Sequence, residues 1–200
     1  MQFLSLAFLS LLTLTTAAPV AKPEPEPVPA FPSGSNVITP REISLYNTGN
    51  GAITYRSGTG RVLKTGTGSD TTTLITFDIP SAAVGRTLEF GFTLDTAASS
   101  VVSGSQLLDV YKSLGPATRT TTGWGQGVPG NQRDQHQGRL RVVRGGEATY
   151  LTQAQGFPVI AKSFAAPSAP GVLAFELVGV YDRDEVSWDA AVNGAFLRWT

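Results

Sequence analysis

From Val37 onward, segments of alternating apolar and polar residues recur, and no stretch keeps a convincing helical period. In Arg86–Asp95, the residues Leu88, Phe90, Phe92 and Leu94 interleave with Glu89, Gly91, Thr93 and Asp95. Such alternation predicts a half-buried strand with one wet face. Thr71–Ile79 repeats the pattern, with Ile75, Phe77 and Ile79 on one face and Thr76 and Asp78 on the other. Pro80 ends that run and Ser81–Gly85 makes a turn, so the two segments are expected to pair as neighbouring antiparallel strands. Further strands are expected at Leu107–Leu114, Arg139–Arg144, Ala148–Gln153, Phe157–Phe164 and Ala195–Trp199, with a central one at Val172–Tyr181. Inward positions are Leu108 and Val110, Leu140 and Val142, and Leu173, Phe175 and Leu177. Many short strands separated by turn residues predict an all-β fold: an antiparallel, jelly-roll-like β-sandwich without significant helix in the folded region.

The N-terminus reads differently. Phe3–Leu14 is apolar apart from Ser5, Ser10 and Thr13, and small residues follow at Thr15–Ala18. This is the pattern of a secretory signal peptide at residues 1–17, cut after Ala17, and its apolar run is too short for a membrane span. Residues 18–36 hold six of the 13 prolines and read as an extended linker, because proline fixes φ and removes backbone donors. Residues 37–200 are then one domain, large enough to bury about two-thirds of its surface on folding.

Composition narrows the chemistry. Lys plus Arg and Asp plus Glu both number 15, which argues against a nucleic-acid partner, since that binding neutralises many phosphates. With no cysteine there is no disulfide, thiolate metal site or cysteine nucleophile. His136 is the single histidine, and it stands in the polar stretch Asn131–Gly138, expected to be an exposed loop. No Gly-x-Ser-x-Gly elbow is present, and the Gly-x-Gly pairs of Gly58–Gly68 lack a following helix, so they read as turns. No cofactor is expected.

Several groups qualify as candidate sites. Asp182 and Asp184, in Asp182-Arg183-Asp184-Glu185 with Asp189 beyond, stand two apart and are candidate calcium ligands. Arg183 among them and the absence of EF-hand spacing favour a solvated turn instead. Asp78 and Asp109 are the carboxylates available for glycosidase chemistry, although sheet alternation explains both placements. Trp124, in Gly123-Trp-Gly-Gln-Gly127, is a candidate stacking surface for a sugar ring, with Gln126 and Asn131 as polar companions. Its alternative role is to cap one end of the sandwich. Trp188 and Trp199 read as core or edge residues. Arg133, Arg139, Arg141 and Arg144 form a local basic group, with Arg139 and Arg141 on one strand face.

The block Thr73-Leu-Ile-Thr-Phe-Asp-Ile-Pro80, the turn Gly85-Arg86-Thr87-Leu88 and the strand Phe90–Leu94 resemble the fungal family named after the C-terminal domain of But-two, the Uba-three-binding protein. Ser103-Gly104-Ser105 before Leu108–Tyr111, the Thr120–Trp124 stretch and Phe175–Trp188 also resemble it. The family often carries cysteines here, and this chain has none. The resemblance implies a small secreted or cell-wall-associated β protein without an agreed activity, and it brings no catalytic residues. The expectation is therefore a non-catalytic extracellular or cell-wall protein with weak carbohydrate binding, its partner a cell-wall glycan. A secreted hydrolase acting on a wall polysaccharide and a binding partner in a ubiquitin-like pathway are the alternatives.

Overall fold

A computed structural model describes residues 31–118, 132–152 and 162–200. The fold is all-β, with two antiparallel sheets that curl into a half-barrel sandwich. The smaller sheet has five strands. Its path runs β1 (Val37–Ile38), β15 (Gly194–Trp199), β6 (Thr87–Leu94), β10 (Gly146–Glu147), and β12 (Ser163–Ala165) also pairs with β6. The larger sheet has ten. Its path runs β11 (Thr149–Tyr150), β9 (Arg133–Arg141), β8 (Leu107–Ser113), β13 (Gly171–Gly179), β5 (Thr71–Ile79), β4 (Thr59–Lys64), β14 (Asp184–Asp189), β7 (Val101–Gly104). β2 (Glu42–Asn47) pairs with β5 and with β3 (Ile53–Thr54). Among the described residues the one helical element is a single 3₁₀ turn at Ser81–Ala83, and no helix is long and apolar enough to cross a membrane.

The alternating positions meet in one core. Leu88, Phe90, Phe92 and Leu94 from the small sheet pack on Ile75, Phe77, Leu108, Val110, Leu140, Phe175 and Leu177 from the large one, all below 1% exposed. Phe77 stands edge-on to both Phe90 and Phe175, at 6.3 and 5.9 Å between ring centroids. Trp188 is fully buried against Phe92, and Gly60 makes room for it, since a Cβ there would overlap the indole.

Three expectations are corrected. β5 and β6 are not sheet neighbours: the 3₁₀ turn carries the chain from one sheet to the other, so each strand pairs elsewhere. Alternation reports which face is buried, and says nothing of the partner. Nor is the second face of β6 wet. The Phe196 ring lies over Gly91, and Thr93 is buried. The outer face of β5 is likewise covered in part, where Leu74 packs with Tyr46 and Ala117 in a second small cluster.

Two segments differ from the pattern in smaller ways. Residues 31–36 end the proline-rich stretch but lie against the sandwich, with the Phe31 N–H donating to Val192 O and Asn36 Nδ2 to Trp199 O. The strand expected at Ala148 is divided between the sheets. β10 pairs with β6, β11 pairs with β9, and Ala148 marks the crossing.

Candidate functional site

Among the described residues, most of the charged pairs lie on the outer face of the large sheet. Because Leu108 and Val110 point into the core, Asp109 points out, directly opposite Arg139 on β9. Arg139 grips it with both arms of the guanidinium, Nε to Oδ1 at 2.6 Å and Nη2 to Oδ2 at 2.7 Å. This is the bidentate geometry that gives arginine–carboxylate pairs their strength. The bond from Asp109 holds Arg139 above its ordinary pKa, against the opposing effect of burial.

Register shifts on either side of Tyr111 place it opposite His136. The two rings lie 4.8 Å apart at 37°. His136 Nε2 is 3.2 Å from Asp109 Oδ1 but is not aligned to hydrogen-bond it. His136 is thus a half-buried strand residue, not part of an exposed loop, and β9 begins six residues before the expected start. Alternating polar side chains hid the strand, since its outward face is wholly polar. Burial, followed by the negative charge of Asp109, pushes the Tyr111 hydroxyl pKa up.

Directly opposite Tyr111, Glu176 of β13 is fully buried. Its Oε1 accepts from Arg133 Nη2 at 2.9 Å and from Thr72 Oγ1 at 2.8 Å. The Arg133 guanidinium also lies 5.4 Å from the Tyr111 ring centroid. Beside this pair is a pocket of about 310 Å³, lined by Tyr46, Lys64, Asp70, Thr72, Arg133 and Val178 among others. Burial pushes the Asp70 carboxyl up, but the Lys64 ammonium at 2.7 Å and the donors of Thr65 outweigh it and bring it below its ordinary value.

Tyr181 completes the face. Its φ of 65° lies in the left-handed region, where a bulky residue is strained. The ring is 67% exposed and has the Arg139 guanidinium 5.8 Å from its centroid. An exposed ring thus stands beside a cation that Asp109 holds in place.

A roomier pocket, about 500 Å³, opens at Pro40, Glu42, Arg56 and Ala190. Glu42 is tied there to Arg56 at 3.4 Å. That pocket has no aromatic wall, and size alone is a weaker argument than converging rings and charges.

The expected ligand sets fare differently. Trp124, Gln126 and Asn131 lie outside the described residues, in the connection between β8 and β9. Asp182 is exposed, whereas Asp184 is buried and opens β14, which corrects the expectation of a solvated acidic turn. Asp184 Oδ1 accepts from the Gln106 N–H at 3.0 Å and Oδ2 from Ser105 Oγ at 3.0 Å, so this carboxylate ties the β7–β8 turn to β14. Burial raises its pKa despite those donors. Glu185 pairs with Arg61, and Asp189 accepts from the Ala191 N–H. Among the described residues no three His, Cys, Asp or Glu side chains are grouped to hold a metal.

Asp78 and Asp109 are also apart. Asp78 stands opposite Val172 and Asp109 opposite Val178, six residues along β13, or about 20 Å. A glycosidase pair sits within about 10 Å. Asp78 is held instead by Arg41 at 2.7 Å. Of the basic group, Arg133 and Arg139 are paired with carboxylates, and Arg144 donates to the Thr96 and Ala97 carbonyls.

Sequence reasoning missed Tyr181, Glu176, Lys64 and Asp70. A charge within the apolar run Leu173–Val180 was the available signal for Glu176; Tyr181 gave none. No family model matches the sequence, and a search of the curated proteins finds no match.

Proposed function

We propose that the chain is a secreted, non-catalytic β-sandwich protein of the extracellular space or cell wall, binding carbohydrate weakly through the outer face of its large sheet. The reading includes the resemblance to the But-two C-terminal domain and the signal peptide at residues 1–17. One observation carries it: Tyr181, exposed and strained, beside an Arg139 already clamped by Asp109. A sugar ring presents an apolar face and a hydroxyl rim, and this surface offers a ring with polar groups beside it. The separation of Asp78 from Asp109 and the occupation of both Asp109 oxygens by Arg139 favour binding over hydrolysis.

The test is retention of the protein, purified from culture medium, on insoluble β-glucan and chitin. The mature N-terminus should be Ala18. Tyr181→Ala and Trp124→Ala should each reduce retention while circular dichroism stays unchanged. Sugar release that disappears in Asp78→Asn or Asp109→Asn would overturn the non-catalytic reading. Full-length protein retained in the cytosol would overturn secretion.

A further inference from the structure

The pocket of about 500 Å³ at Pro40 is walled by three segments that are tied to one another. They are the start of β2, the Arg56–Gly58 turn before β4, and the turn after β14 that holds Ala190. The Ser57 N–H donates to Ile43 O at 2.9 Å, and the Ala190 N–H donates to Gly58 O at 3.0 Å. Backbone bonds therefore set the walls, and a ligand would meet a cavity already formed. Its volume lies within the ordinary range of small-molecule sites.

Two guanidinium groups line this pocket, and neither is fully used. Arg56 is 54% exposed and touches Glu42 through Nε alone, at 3.4 Å. That is long for a charged hydrogen bond, and Arg56 Nη1 and Nη2 have no partner among the described residues. Arg41 gives Nη1 to Asp78 at 2.7 Å, which leaves its Nε and Nη2 without one. Arg139, by contrast, commits two nitrogens to Asp109.

A planar fork of N–H donors matches a carboxylate, two nitrogens against two oxygens. Glu42 also lines the pocket, and Asp78 stands beside Arg41. Those negative charges oppose a second charge on the ligand, so a monoanion fits better than phosphate or sulfate. Pro40 and Ala190 offer apolar wall, and no ring is present for a sugar to stack on.

We infer that this pocket binds a small monocarboxylate with an apolar body, its oxygens held by Arg56 and Arg41 and its carbons against Pro40 and Ala190. The site shares no residue with the Tyr181 surface and does not rest on the carbohydrate-binding reading.

The experiment titrates hexanoate into the isotope-labelled secreted protein and follows backbone amide signals by NMR. Those of Ser57, Gly58 and Ala190 should move together and saturate. Hexanamide has the same shape without the charge and should bind about tenfold more weakly. Arg41→Gln should weaken hexanoate about tenfold and fold normally, because the Asp78 it leaves behind is exposed. Arg56→Lys keeps a charge beside the buried Glu42 but loses the fork, and it should weaken hexanoate about threefold. Gly58→Leu keeps both arginines. An added Cβ meets open space there and the backbone is not left-handed, so the fold should tolerate a side chain that narrows the pocket and lowers affinity about tenfold. Hexanoate affinity that survives either Arg41→Gln or Gly58→Leu, or hexanamide that binds as tightly, overturns the site. Tighter binding of phosphate or sulfate overturns the monocarboxylate class. Absence of any shift at Ser57, Gly58 and Ala190 overturns the inference while leaving the Tyr181 reading as it stands, and Tyr181→Ala should not alter hexanoate affinity.

Discussion

Arg139 holds both oxygens of Asp109 in a bidentate pair whose side chains are only 14% and 12% exposed. Desolvating two charges is costly, and the pair offsets that cost only while both members are present. Asp109→Ala should therefore destabilise the protein by about 3 kcal/mol, because Arg139 is left charged beneath the surface. Adding Arg139→Met should restore most of the loss. Urea midpoints of the single and double variants measure the coupling directly.

Two carboxylates should move stability with pH in opposite directions. Asp184 has a folded pKa raised above its ordinary 3.8, chiefly by burial, so the folded state holds its proton more tightly than the unfolded chain does. Its stabilisation is complete below 3.8 and is lost as pH rises through the folded value. Asp70 is also pushed up by burial, but Lys64 and Thr65 leave its folded pKa below 3.8. Its stabilisation is present above 3.8 and is lost as pH falls through the folded value. Denaturant midpoints taken from about pH 3 to about pH 7 should show wild type gaining on Asp70→Asn and losing ground to Asp184→Asn.

The same sheet explains what could be read in advance. Period-two alternation identified the inward residues of β5, β6, β8 and β13, since a pleated strand sends successive side chains to opposite faces. It could not say that β5 and β6 belong to different sheets, because facing the core is common to both. Polar residues misled it in a consistent way. Asp184 looked solvated because it is charged, yet Ser105 and Gln106 supply its donors from a turn nearly 80 residues away. His136 looked like loop because its strand shows only polar side chains outward. Such placements depend on long-range partners, which no local window contains.

From Phe90 to Leu94, β6 is buried on both faces, and three neighbouring substitutions separate those faces. Phe90→Ala should cost about 3–5 kcal/mol, since the ring is fully enclosed by Phe77 and Phe175. Gly91→Ala should cost about 1–3 kcal/mol by forcing a methyl into the Phe196 ring on the opposite face. Glu89→Ala loses only a half-exposed ion pair with Lys162 and should cost about 0.5 kcal/mol. A neutral Gly91→Ala would mean that Phe196 moves freely and that the outer face is the wet one alternation predicts.

Tyr181 allows binding and folding to be pulled apart. A left-handed backbone costs a non-glycine residue about 1–2 kcal/mol, and at φ 65° glycine removes that strain. Tyr181 is two-thirds exposed, so loss of its side chain forfeits little burial. Tyr181→Gly should therefore leave the urea midpoint unchanged or raise the stability by about 1 kcal/mol, while retention on polysaccharide falls. Tyr181→Ala keeps most of the strain and should lose retention without the gain. If Tyr181→Gly instead lowers stability by about 1 kcal/mol or more, the ring's contact with Arg139 is structural. Loss of retention with stability kept or raised is the outcome the proposed binding role requires of this residue.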